Sequence, residues 1–197
     1  MVKVYSRRAF QIDREFNNMN SEIDLMFNAT EEKISSLRDF VFIGNCIRSL
    51  YDGTERLLEM ILSFSNKSAT NVAQYHAEVA NKVSLILNLD TSTQEQLASG
   101  RKLAHFFHHG YSFQVKPRYI ATAMIELPNL FEHVAYKIID FWDEHKIEIE
   151  TSKRTLEESI KKLFVMQNEF SNILKEMDIQ QDVENDVESN VTSTERN

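Results

Sequence analysis

Only four glycines and two prolines interrupt a chain of 197 residues. These two residue types turn a backbone sharply, glycine by accepting positive φ and proline by fixing φ and lacking an N–H. A β-sandwich or barrel needs turn signals about every 8–12 residues, and this chain does not have them. It must run in long uninterrupted segments, and an all-α bundle is expected.

Apolar spacing divides the chain into helices. A first helix over about 4–27 has a polar outer face and breaks at Asn28-Ala29-Thr30, with Thr30 expected to cap the next and Glu31 and Glu32 in its first turn. The second helix runs to about Phe64, with Ile34, Leu37, Val41, Ile47, Leu50, Tyr51, Leu58 and Ile61 at helical intervals. Gly44 and Gly53 are the places where so long a rod could bend. A third helix covers about 71–87. The cluster from Asp90 to Thr93 caps a fourth, about 93–109, and Gly110 is placed to end it. Pro117 sits in the first turn of a fifth, which continues to about Glu144 with a kink or break expected at Pro128.

These five helices make a bundle over residues 1–146. Over 147–178 the residues Ile149, Lys153, Leu156, Ile160, Leu163, Gln167, Phe170, Leu174 and Met177 recur at steps of four and three, a heptad-like stripe with two polar interruptions. Two readings stay open: an arm folded onto the bundle, or a coiled coil with a second copy or a partner. Residues 179–197 are polar and acidic, and disorder is expected there.

The net charge of −8 argues against a broad nucleic-acid-binding surface, but it is unevenly spread. From Asp178 onward there are six acids and one base, a net −5, leaving −3 for the rest. Between Arg101 and Arg118, Arg101, Lys102, Lys116 and Arg118 accompany three histidines and no acid. An anion would bind in this electropositive stretch. A single cysteine, Cys46, excludes an internal disulfide. No leader-like segment and no run of about 18 apolar residues is present, so a cytoplasmic protein without a membrane span is expected.

The chemistry-bearing residues concentrate in the fourth helix. At 100° per residue, with Arg101 at zero, His105 falls at about 40°, His108 at −20° and His109 at 80°. Leu103 and Phe106 point away and are expected to supply the buried side. One guanidinium and three imidazoles on one face suit cleavage of an RNA phosphodiester. An imidazole can accept the 2′-hydroxyl proton and another can protonate the leaving oxygen. The guanidinium stabilises charge on the phosphorane oxygens. His105 and His109 have i, i+4 metal-ligand spacing, but no third ligand is evident, so neither metal nor other cofactor is expected.

The string Ala104-His105-Phe106-Phe107-His108-His109-Gly110-Tyr111 resembles the Arg-His-Phe-Phe-Arg-His-Ala-Tyr pattern of the HepT-like branch of the HEPN superfamily. Tyr51-Asp52-Gly53-Thr54-Glu55-Arg56 is similar to that family's Tyr-x-x-x-Glu-Arg signature, and Tyr75-His76 stands where the family has an aromatic–His pair. The resemblance covers about 34–142. It implies a HEPN-like helical bundle that forms a homodimer and a metal-independent endoribonuclease. It further implies a toxin restrained by a nucleotidyltransferase-type antitoxin. The catalytic set would be Arg101, His105, His108 and His109, with His109 transferring protons. Glu55, Arg56 and Tyr51 would support them, and Tyr111 would be the residue the antitoxin modifies. The departure is at Ala104, where the family has its catalytic Arg; Arg101, separated from His108 by six residues, is the substitute the superfamily spacing allows. A different class remains alongside: a non-catalytic helical interaction or dimerisation module, motivated by Ala104 and the heptad stripe.

Overall fold

A computed structural model describes the backbone of residues 2–70, 74–109, 115–147 and 149–194, and the side chains of 7–70, 74–107, 115–147, 149 and 153–177. Six helices, and no strand, make up the described residues: α1 (Val2–Glu31), α2 (Leu37–Phe64), α3 (Tyr75–Leu87), α4 (Thr91–His109), α5 (Pro117–Glu144) and α6 (Glu150–Thr194). The all-α expectation holds.

The first boundary falls later than the sequence suggests. Thr30 does not cap α2; its hydroxyl donates back to the Met26 carbonyl at 2.8 Å, inside α1, as threonine does within helices. The cap is Ser36. Its hydroxyl accepts from the Asp39 N–H at 3.3 Å, and the Asp39 carboxylate accepts from the Ser36 N–H at 2.8 Å. This reciprocal box satisfies two donors at once, and the N–H groups of Ser35 and Ser36 hold the Asp39 carboxyl below its usual range. With few glycines available, four other residues take the left-handed turns: Lys33, Asn66, Asn88 and Lys146, with φ of 71°, 53°, 51° and 57°.

α2 is the central helix, packed against α1, α3, α4 and α5. It runs unbroken for 28 residues, about 42 Å at 1.5 Å per residue. Its glycines are not bends. They are points where another helix comes too close for a Cβ: one built at Gly53 would lie 2.6 Å from Met19 of α1, and one at Gly44 2.1 Å from Phe107 of α4. Pairs of contacts fix the directions. Arg8 lies over the Phe64 ring, Glu15 meets Arg56 and Met19 meets Gly53, so α1 and α2 are antiparallel. Gly44 meets Phe107 and Gly100 meets Tyr51, so α4 also runs antiparallel to α2. Gly44 also meets Ile120, while Phe64 meets Trp142, so α5 runs parallel to α2.

α6 lies in the groove between α1 and α5. Leu156, Ile160, Leu163, Met166 and Phe170 are buried there with Ile12, Phe16, Ile23 and Met26 of α1 and Trp142 of α5 in one core. Each such side chain contributes roughly 1.5–3 kcal/mol on burial. The stripe thus serves the chain's own core, and both polar interruptions have partners. Lys153 pairs with Asp143 of α5, and Gln167 donates its amide to the Ile125 carbonyl. Buried Pro128 leaves the helix continuous, yet it cannot donate to the carbonyl four residues back and its ring crowds the preceding turn. The α6 backbone runs on as helix to Thr194, through most of the 179–197 stretch where disorder is expected from the sequence; the side chains of 178–194 and all of 195–197 lie outside the described residues.

Candidate functional site

α4 begins at a cap rather than at a glycine. The Asp90 carboxylate accepts from the Thr93 N–H at 2.7 Å, which holds that carboxyl below its usual range. The helix then buries Thr93, Leu97, Gly100 and Ala104, a seam spaced four, three and four that faces the core. Leu103 and Phe106, expected to form the buried side, are only half-buried at the core's margin. The reason is Tyr51 of α2. A Cβ at Gly100 would stand 1.7 Å from the Tyr51 ring, so the glycine lets the two helices close onto one another, and the small residues take the seam. Ala104 is 6% exposed. A guanidinium there would be driven into apolar packing.

Arg101 and His105 flank this seam, Arg101 half-buried and His105 exposed. α4 continues as helix through His108 and His109, whose side chains lie outside the described residues, as does Tyr111 altogether. Phe107 and Ile120 both meet Gly44, so the end of α4 and the start of α5, with exposed Lys116 and Arg118, share one end of the bundle.

Glu55 reaches this site from α2, one turn beyond Tyr51. Its Oε2 lies 3.1 Å from Nδ1 of His76 on α3. Burial raises the Glu55 carboxyl above its ordinary range, and the charges of His76 and then of Arg101 pull against that shift. Three helices therefore bring a carboxylate, an imidazole and a guanidinium within one electrostatic neighbourhood. Next to His76, Tyr75 meets the imidazole edge-on at 5.5 Å. Glu59, one turn along α2, pushes the Tyr75 hydroxyl upward by its charge and by accepting its hydrogen bond.

The other expected residues go elsewhere. Arg56 turns to α1, where Nε and Nη2 both lie 2.7 Å from the buried Glu15 carboxylate; at 100° from Glu55 it faces a different helix. Tyr51 is 9% exposed, and burial, with a smaller push from Glu126, raises its hydroxyl far above its usual range. It spaces α2 from α4. His76 is the residue the histidine-rich string does not reveal. It stands 21 positions from Glu55 on another helix, a distance no local periodicity spans. Among the described residues no group of three or more His, Cys, Asp or Glu could hold a metal ion, and no helix is long and apolar enough to cross a membrane.

No curated protein and no solved structure matches the chain. The family model described as HepT-like protein matches residues 42–145. That span runs from the first turns of α2 to the end of α5. It contains Glu55, His76, Arg101 and His105 and leaves α1 and α6 as flanking helices. The match covers more than half of the sequence, and the chain belongs to the HepT-like family of the HEPN superfamily.

Proposed function

We propose that the protein is a metal-independent endoribonuclease. It works as a homodimer in the cytoplasm, as the toxin partner of a nucleotidyltransferase-type antitoxin. Arg101 clamps the phosphate, His109 transfers protons, and His105 and His108 line the same face of α4. Glu55 braces Arg101, and Tyr111 is the residue open to modification. The observation that carries the reading is the approach of α2 and α4. It brings the Arg101 guanidinium within electrostatic range of the Glu55 carboxyl, with the exposed His105 one turn along α4 in a basic stretch of an acidic chain. Family membership supports an RNA-directed role. RNA supplies its own nucleophile, the 2′-hydroxyl. Cleavage then needs a proton acceptor, a proton donor and a cation for the phosphorane oxygens.

The test is degradation of single-stranded RNA by the purified protein with a chelator present. Wild type is expected to cleave, and Arg101→Ala and His109→Ala to lose cleavage. Activity that survives His109→Ala would overturn the assignment. A second reading, a non-catalytic helical interaction module, is favoured by one observation: Ala104, which the resemblance sets against the family's arginine, is buried. RNA left intact by a wild type whose mass in solution exceeds one chain would favour that module.

A further inference from the structure

We infer that His76, held by Glu55, is a proton-transfer residue of the Arg101 site and removes the 2′-hydroxyl proton of a bound RNA strand. This rests on the ribonuclease reading and adds to it a residue from a third helix.

Three observations lead there. The Nδ1–Oε2 distance of 3.1 Å makes Nδ1 the protonated nitrogen that donates to the carboxylate, so a neutral ring has its lone pair on Nε2. A carboxylate that fixes the tautomer and stabilises the imidazolium is the arrangement of acid-oriented histidine bases. The His76 side chain is 61% exposed while Glu55 is 25% exposed, so the orienting partner is withdrawn and the base is open to a strand. Finally, the same carboxylate feels the Arg101 charge. One group thereby couples the phosphate clamp on α4 to the imidazole on α3. The charged and titratable neighbours are Glu55, Glu59 and Asp52 from α2, Arg101 from α4 and Tyr75 on α3 itself. Glu78, two residues beyond His76 on α3, is engaged instead by Lys82 and the Thr70 N–H.

In the step, the 2′-oxygen forms a bond to the adjacent phosphorus and its proton passes to His76 Nε2. The bond from phosphorus to the 5′-oxygen breaks, and that oxygen takes a proton from a histidine of α4. The products are a 2′,3′-cyclic phosphate and a 5′-hydroxyl, and the chain of the substrate is cut with no water or oxidant consumed.

The test uses the full chain, a short fluorescent single-stranded RNA and a chelator. It compares wild type, His76→Gln, His76→Gly, Glu55→Gln and His109→Ala, each checked for helicity by circular dichroism. His76→Gln is expected to lower kcat by roughly 10²–10³-fold, the range for losing one acid–base group, with KM nearly unchanged. Added imidazole should restore part of the kcat of His76→Gly. Glu55→Gln should also lower kcat, because an amide no longer fixes the Nδ1–H tautomer and the orientation of the ring. Wild-type kcat in His76→Gln beside an inactive His109→Ala overturns this inference alone. So does a loss confined to KM, or a His76→Gly that imidazole leaves unrestored. A wild type that cuts no RNA overturns both this inference and the ribonuclease reading.

Discussion

Substituting alanine for Gly100 asks whether the α2–α4 approach is as close as the structure makes it. The two forces involved have opposite signs. In a helix interior, exchanging glycine for alanine gains about 1 kcal/mol from backbone entropy. Against this, the new Cβ would meet three atoms of the Tyr51 ring at 1.7, 1.8 and 2.4 Å. The ring is rigid and pivots only about two bonds. The void beside it, lined by Tyr51, Leu97, Leu127, Leu130 and Phe131 among others, is only about 10 Å³, barely room for one water molecule. The strain falls at or above the upper end of the 1–3 kcal/mol typical of overpacking, which leaves a net loss of about 2 kcal/mol. For a chain of this length each kcal/mol moves Tm by about 2–4 °C, so Gly100→Ala should melt about 4–8 °C below wild type in a calorimetric scan. Combining it with Tyr51→Leu should recover part of that loss, giving a coupling of at least about 1 kcal/mol in a double-mutant cycle. A Gly100→Ala protein that melts above wild type would show that helix propensity alone governs the position. The tight crossing, and with it the setting of Glu55 against Arg101, would be refuted.

Four further substitutions read other parts of the architecture. Burial raises the Glu55 carboxyl, so its folded form disfavours the anion; its contribution to stability is complete below the ordinary glutamate pKa and is lost as pH rises through the raised value. Glu55→Gln should therefore raise Tm at pH 7–8 and leave it unchanged near pH 4, in thermal melts followed by circular dichroism. Arg56→Ala strands the nearly buried Glu15; discounting for a half-exposed arginine, the loss should be about 1–3 kcal/mol in urea unfolding, and no loss would show the pair is idle. Lys33 and Lys146 hold left-handed φ, which costs an L-residue about 1–2 kcal/mol, partly offset by glycine's looser unfolded chain. Lys33→Gly with Lys146→Gly should together raise Tm by about 2–4 °C, and a fall would mean those side chains do more than tolerate the turn.

The sequence disclosed the elements whose cause is local. Pro117 at the first turn of α5 and the scarcity of glycine each act within a few residues, and the helices they imply are present. The fourth helix likewise ends its described run at His109. Where two local signals competed, the reading failed. Thr30 has the chemistry of a cap, but Ser36 with Asp39 satisfies more N–H groups, and α1 extends to Glu31. Where the cause is tertiary, the pattern misled. Hydrophobicity pointed to Leu103 and Phe106 as the buried face of α4, yet the face is chosen by how closely α2 can approach, and that favours Gly100 and Ala104. The candidate site divides the same way. Its α4 residues were visible as one string, whereas the union of Glu55 with His76, and the departure of Arg56 to Glu15, depend on which helices become neighbours.

The position of α6 bears on the order of events at the ribosome. α2 covers only one flank of the apolar surface of α1; the other flank, around Ile23 and Met26, waits for Leu163 and Phe170. Those residues are translated only after the entire 42–145 segment. Until they leave the ribosome, the growing chain presents a greasy trench along α1, and the arrival of α6 closes it.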